Sequence, residues 1–97
     1  MAEPQRVTNI AMKGLIKGTV QGVFFRASTL RQAEALGVTG WVRNTVEGHV
    51  EVCIVGEPSR IGEMVLWLQH GPALAHVKEV QLSPIPAPEI IDFQIRS

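Results

Sequence analysis

With 97 residues, the chain is the size of one domain and can form about two helices and four or five strands around one core. Nine basic residues balance nine acidic ones, which excludes a chain-wide field for nucleic acid or an anionic membrane, so any anion must be recognised locally. The single cysteine, Cys53, excludes an internal disulfide and lies in an apolar run typical of a buried position. The sequence has neither a secretory signal pattern nor an apolar run of membrane-spanning length, so we expect a cytoplasmic protein without a membrane partner.

The first elements follow from local patterns near the N-terminus. Residues 1–9 are polar with one proline and predict a flexible leader, so a single domain is expected over residues 10–97. Alternation over residues 10–20 predicts a first strand with one buried face. A helix is predicted over residues 25–36, ended by Gly37. Its apolar positions recur at helical spacing: Ala27, Leu30, Ala33 and Leu36.

The middle of the chain predicts a hairpin followed by a second helix. Strands are expected over about residues 39–45 and 49–55, joined by a short turn in which Gly48 is available for a positive φ. The second helix is predicted to begin near Pro58, since proline is tolerated in the first turn, and a Gly-Pro pair at Gly71 ends it. The expected apolar stripe of this helix consists of Ile61, Met64, Val65 and Leu68.

Two final strands complete the predicted order of elements. They are expected within residues 77–84 and over residues 90–96. The connection between them is stiff because of its prolines: Pro84, Pro86 and Pro88.

The order βαββαβ predicts the α+β class and a ferredoxin-like sandwich. This fold has an antiparallel four-stranded sheet, here with a short C-terminal strand in addition, and two helices on one face. Right-handed crossovers make the first two strands parallel, with the third between them. The turn after the first strand and the end of the second strand then lie at the same edge of the sheet. Residues 22–26 and Asn44 are therefore expected to face one site.

The turn that enters the first helix is typical of a phosphate site. The first N–H groups of a helix have no intrahelical partner, and the helix dipole adds partial positive charge there. Gly22 allows the backbone to approach an anion, and the N–H groups of residues 23–26 can converge on its oxygens. Arg26 adds a planar fork that binds phosphate through two hydrogen bonds. The alternative is an ordinary turn followed by a solvated arginine.

Asn44 suggests chemistry in addition to binding, because asparagine is a poor interior strand former. As a structural residue it would start the hairpin turn. As a functional residue it would use its amide to orient a water for attack on phosphorus, without acting as a strong base. Such a site suits acyl phosphates, whose carboxylate leaving group needs no protonation, and suits phosphate monoesters poorly.

At these positions the sequence resembles the acylphosphatase family. The first matching block contains Gly18, Val20, Gln21, Gly22, Val23, Phe25 and Arg26. The second contains Gly37, Gly40, Val42, Asn44, Thr45, Gly48 and Val50. Weaker matches follow at Trp67, Leu68, Gly71, Pro72, Phe93, Ile95 and Arg96, so that the resemblance spans residues 10–97.

The resemblance implies hydrolysis of acyl phosphates to carboxylate and phosphate, with no cofactor or metal and no phosphoenzyme. It implies that Arg26 and Asn44 are the catalytic residues, with Asn44 orienting the attacking water. It also implies a phosphate-binding loop, residues 21–26, which we call the phosphate loop. The members of that loop are Gln21, Gly22, Val23, Phe24, Phe25 and Arg26. We expect a free-standing monomeric enzyme whose partner is a small acyl phosphate.

Other functions are less consistent with the sequence. The three histidines, at positions 49, 70 and 76, lack metal-ligand spacing. Phe24 and Phe25 lie at a helix start without a basic stripe, which does not favour stacking on nucleic-acid bases. A non-catalytic module that binds phosphate or a phosphoprotein through the same loop remains the alternative function.

Overall fold

The computed structural model describes residues 8–97 and contains two helices and five strands. The elements are β1 (Ile10–Thr19), α1 (Phe25–Leu36), β2 (Thr39–Asn44), β3 (Val50–Gly56), α2 (Pro58–Leu68), β4 (His76–Ile85) and β5 (Phe93–Arg96). This order confirms the predicted one. Most of the predicted leader lies outside the described residues. No helix of residues 8–97 is long and apolar enough to cross a membrane.

The strands form one mixed sheet in the order β4-β1-β3-β2-β5. Strand β3 is antiparallel to both β1 and β2, so β1 and β2 are parallel with β3 between them, as the crossover rule predicts. Strand β5 adds a parallel edge beside β2, pairing Val42 with Ile95. The ferredoxin-like prediction is thus confirmed. The N-terminus of α1 lies near the last residue of β2.

The main core lies between one face of the sheet and the two helices. Its most deeply buried side chains include Ile16, Phe25, Val42, Val50, Val52, Ile54, Ile61, Met64 and Leu68. The apolar stripe predicted for α2 is confirmed at three positions, whereas Val65 is half-buried. Burial of these side chains, at about 1.5–3 kcal/mol each, holds both helices against the sheet.

The buried face of α1 agrees only in part with the predicted one. Phe25, Thr29 and Ala33 are buried at i, i+4 spacing, whereas Ala27 is exposed. The Thr29 hydroxyl donates to the Phe25 carbonyl at 2.7 Å, which satisfies a polar group that composition alone would place outside. Leu30 and Leu36 are partly buried and pack against the core, so the predicted stripe is wrong only at Ala27. It also omitted Phe25, whose ring centroid lies 5.9 Å from that of Trp67.

Two predicted strand boundaries also differ. Strand β4 is one residue longer at each end than the predicted range, and Pro84 within it lies opposite Met12. Because β4 is an edge strand that pairs only with β1, a proline, which lacks an N–H, is tolerated there. Strand β5 begins at Phe93, not at residue 90. The short β5 still reaches the sheet edge where β2 ends.

Candidate active site

The phosphate loop turns sharply through two residues with left-handed backbone. Gly22 has φ +73°, and Phe24 has φ +61° and ψ +24°. Within residues 8–97, Phe24 is the single non-glycine residue with positive φ. Such a conformation costs of order 1–3 kcal/mol for a bulky side chain and is found mainly at functional sites. The backbone therefore stores strain where the sequence predicts a ligand.

The start of α1 is left open to an anion. Phe24 occupies the N-cap position, no side chain caps the helix, and the first turn contains no acidic residue. Across residues 8–97, no backbone acceptor pairs with the N–H groups of residues 22–24. Unsatisfied N–H groups together with the helix dipole create a site for negative charge. Most proteins place Ser, Thr, Asp or Asn here, so the missing cap favours an external acceptor.

Arg26 adds a cation to the same place. Its Nη1 donates to the Arg96 carbonyl of β5 at 3.4 Å, and no carboxylate in the described part of the chain forms a salt bridge with it. The Arg96 side chain lies on the other face of the sheet, with its Cζ 5.2 Å from the Trp41 ring centroid. The last strand thus orients Arg26 without neutralising its charge.

Asn44 is the last residue of β2 and lies opposite Val50 of β3. Its side-chain oxygen Oδ1 is buried and has no hydrogen-bond donor among residues 8–97. Leaving such an acceptor unpaired costs about 1–3 kcal/mol unless a ligand or water satisfies it. The hairpin turn uses Thr45 instead, whose N–H donates to the His49 carbonyl and whose hydroxyl accepts from the His49 N–H. The Asn44 side chain is therefore free of the turn.

Gln21 connects the phosphate loop to this hairpin. Its Nε2 donates to the carbonyls of Thr45 and His49, both at 2.8 Å. These two bonds hold the start of the loop beside the residue that follows Asn44. The side chain of Gln21 therefore points to the hairpin, which the sequence pattern alone did not indicate.

These residues surround a cavity of about 310 Å³ at the edge of the sheet. It is lined by Val20, Gly22, Phe24, Phe25, Arg26, Ala27, Asn44 and Ile95. The structure therefore brings Arg26 and Asn44 together with part of the phosphate loop, while Gln21 and Val23 do not line the cavity. Sequence reasoning missed Val20, Ala27 and Ile95 as lining residues. Ile95 reaches the cavity because β5 pairs with β2, where it lies opposite Val42.

The fold and the cavity define a class of protein: a small ferredoxin-like domain in which an uncapped helix N-terminus, an arginine and a buried amide oxygen meet at one cavity. The sequence profile of the family described as acylphosphatase matches residues 12–95. An acylphosphatase of Nitrosococcus oceani is 49% identical over 82 residues, which make up 84% of this chain and 92% of that protein. An acylphosphatase of Thiobacillus denitrificans is 52% identical over 82 residues, or 84% and 91% of the two chains. The chain belongs to the acylphosphatase family.

A solved structure shows the same architecture. The acylphosphatase from Coxiella burnetii superposes with a TM-score of 0.88 at 39% sequence identity. The match covers 91% of this chain and 93% of that one.

Proposed function

We propose that this protein hydrolyses the carboxyl–phosphate bond of acyl phosphates, releasing a carboxylate and inorganic phosphate. The observation that carries the proposal is the buried Asn44 Oδ1, an acceptor without a donor in the described residues, in the same cavity as Arg26. The ionised phosphoryl group of an acyl phosphate has no hydrogen to donate to this oxygen, so the acceptor suits a water molecule beside the substrate. A water molecule supplies the missing donor.

In this proposal the phosphate loop and Arg26 hold the phosphoryl oxygens. The N–H groups at the start of α1 and the guanidinium donate to the equatorial oxygens, where negative charge must be stabilised in the transition state. Because these donors are fixed before the substrate arrives, little reorganisation is needed. Membership of the family and the uncapped helix start both support this assignment.

Asn44 is proposed to orient the attacking water. Its Oδ1 accepts a hydrogen bond from the water, which directs an oxygen lone pair at phosphorus. The new bond forms between the water oxygen and phosphorus as the bond from phosphorus to the acyl oxygen breaks. The bonding electrons leave on the carboxylate, and a proton of the water passes to solvent or to the phosphate formed. No phosphoenzyme forms in this scheme.

The leaving group defines the substrate class. A carboxylate leaves without protonation, so a site without a general acid is sufficient. An alkoxide from a phosphate monoester would need a proton or a metal at the leaving oxygen. We therefore propose a reaction that needs no cofactor and no metal. We also propose that the enzyme is a monomer located in the cytoplasm, where its single cysteine, the buried Cys53, stays reduced.

Hydrolysis of benzoyl phosphate in the presence of EDTA tests the proposal. Arg26→Ala is expected to lower kcat/KM on the order of a thousandfold, because it removes the cation and two phosphate donors. Asn44→Ala is expected to lower kcat about a hundredfold while inhibition by inorganic phosphate stays unchanged. Arg31→Ala and Asn9→Ala, at exposed positions, are the matched controls.

Three results would count against this function. If Asn44→Ala kept its kcat, Asn44 would not orient the water. If EDTA abolished turnover, the reaction would depend on a metal. If the native protein bound inorganic phosphate but hydrolysed no acyl phosphate, the non-catalytic phosphate-binding module would be the correct function.

A further inference from the structure

One wall of the cavity is apolar and exposed, although the site is proposed to bind a charged group. Phe24 is 75% exposed and Ile95 is 43% exposed, and Ala27 beside them is exposed as well. All three line the same cavity as Arg26 and Asn44. Apolar side chains around an anion site contribute nothing to holding the anion, so they point to a second, uncharged part of the ligand.

The positions of these side chains are set by neighbouring elements. Phe24 is the N-cap of α1 and Ala27 lies in its first turn, and both line the cavity. Ile95 lies on β5 opposite Val42 of β2. Val42 is two residues before Asn44, so the two lie on the same face of β2. The apolar group thus flanks the polar pair Arg26 and Asn44 from both the helix and the sheet.

Phe24 has no part in the core that would explain its size. The next residue, Phe25, anchors the helix start, being 2% exposed and packed against Trp67. Phe24 is exposed and has a left-handed backbone, which glycine or asparagine adopts more readily than an aromatic residue. Both properties are unfavourable in the free protein. A ligand that covers the ring would recover the apolar contact.

We propose that Phe24 and Ile95 form a subsite for the acyl group, and that the enzyme prefers acyl phosphates with a bulky apolar acyl group, aryl or branched alkyl, over acetyl phosphate. This inference rests on the proposed function, since the phosphoryl group must occupy the site of Arg26. With the phosphoryl group bound at Arg26, the acyl group of the substrate would extend towards Phe24 and Ile95 in the same cavity. The cavity of about 310 Å³ accommodates a phosphate together with a ring of this size.

The ratio of kcat/KM for benzoyl phosphate to that for acetyl phosphate tests the subsite. Phe24→Asn keeps a residue that tolerates the left-handed backbone and removes the apolar ring, so the ratio is expected to fall about tenfold. Phe24→Leu is expected to retain most of the ratio, and Ile95→Ala to lower it about threefold. Leu66→Ala, at a position 68% exposed on α2 and outside the cavity, is the control and is expected to keep the native ratio.

A binding measurement separates this inference from the proposed function. Calorimetry should show that the native protein binds phenylphosphonate more tightly than methylphosphonate and that Phe24→Asn loses most of this difference. If Phe24→Asn lowered kcat/KM for both substrates in equal proportion and kept the preference for phenylphosphonate, the proposed subsite would be wrong. If the native protein hydrolysed neither substrate but still preferred phenylphosphonate, the proposed function would be wrong and the apolar subsite would stand.

Discussion

Replacement of Gln21 by methionine tests whether this residue holds the phosphate loop to the hairpin. Methionine has nearly the same length and volume but donates no hydrogen bond, so Gln21→Met removes the two 2.8 Å bonds to the carbonyls of Thr45 and His49. Each bond contributes about 0.5–1.5 kcal/mol. Both carbonyls keep a second donor, Gly48 N–H at 3.2 Å and Thr45 N–H at 2.9 Å, so neither is left unpaired.

The expected loss is about 2 kcal/mol in the free energy of unfolding, which for a domain of this size lowers Tm by about 10 °C. The loop and Asn44 are then less well aligned, so kcat/KM for benzoyl phosphate should fall on the order of tenfold. Urea unfolding and the hydrolysis assay measure the two effects. Gln81→Met removes an exposed amide bonded to Glu79 and is the control, with a change of less than about 0.5 kcal/mol.

The result that would refute this reasoning is specific. If Gln21→Met kept the native stability but weakened inhibition by inorganic phosphate, Gln21 would contact the ligand and not the hairpin. Loss of stability and activity together, with inhibition by phosphate less affected than kcat, is the outcome that the bridging geometry predicts.

Two further variants and a labelling experiment test the packing around the site. Gly71→Ala should destabilise the fold by about 2–3 kcal/mol in urea, since Gly71 has φ +66° and a Cβ would lie 2.5 Å from the Phe25 ring. Gly62→Ala, in open space on α2, should instead stabilise by up to about 1 kcal/mol, and equal effects would contradict the packing argument. Burial raises the pKa of the Cys53 thiol, so alkylation at pH 8 should be about a hundredfold slower in the native protein than in guanidinium. Because the native thiol holds its proton more tightly, stability should decline as pH rises through the unfolded pKa near 9, and fast native labelling would refute the burial.

Much of the architecture followed from periodicity and connection rules. The strand over residues 10–20 and the apolar stripe of α2 are local signals that the structure confirms, except that Ala11 and Ile16 are buried on opposite faces of β1. The right-handed crossover then placed Asn44 at the edge where α1 begins, although the two are far apart in sequence. The catalytic roles of Arg26 and Asn44 stay a prediction that the proposed kinetics must test.

The sequence by itself determined the family, the element order and the residues that carry the proposed chemistry, because these depend on short motifs and local periodicity. Only the tertiary structure decided what the remaining loop and cavity residues do. The Gln21 side chain points to the hairpin because its amide donates to two carbonyls of a turn that is distant in sequence. Ile95 joined the cavity because β5 pairs with β2. Both depend on contacts between segments distant along the chain, which no local pattern encodes.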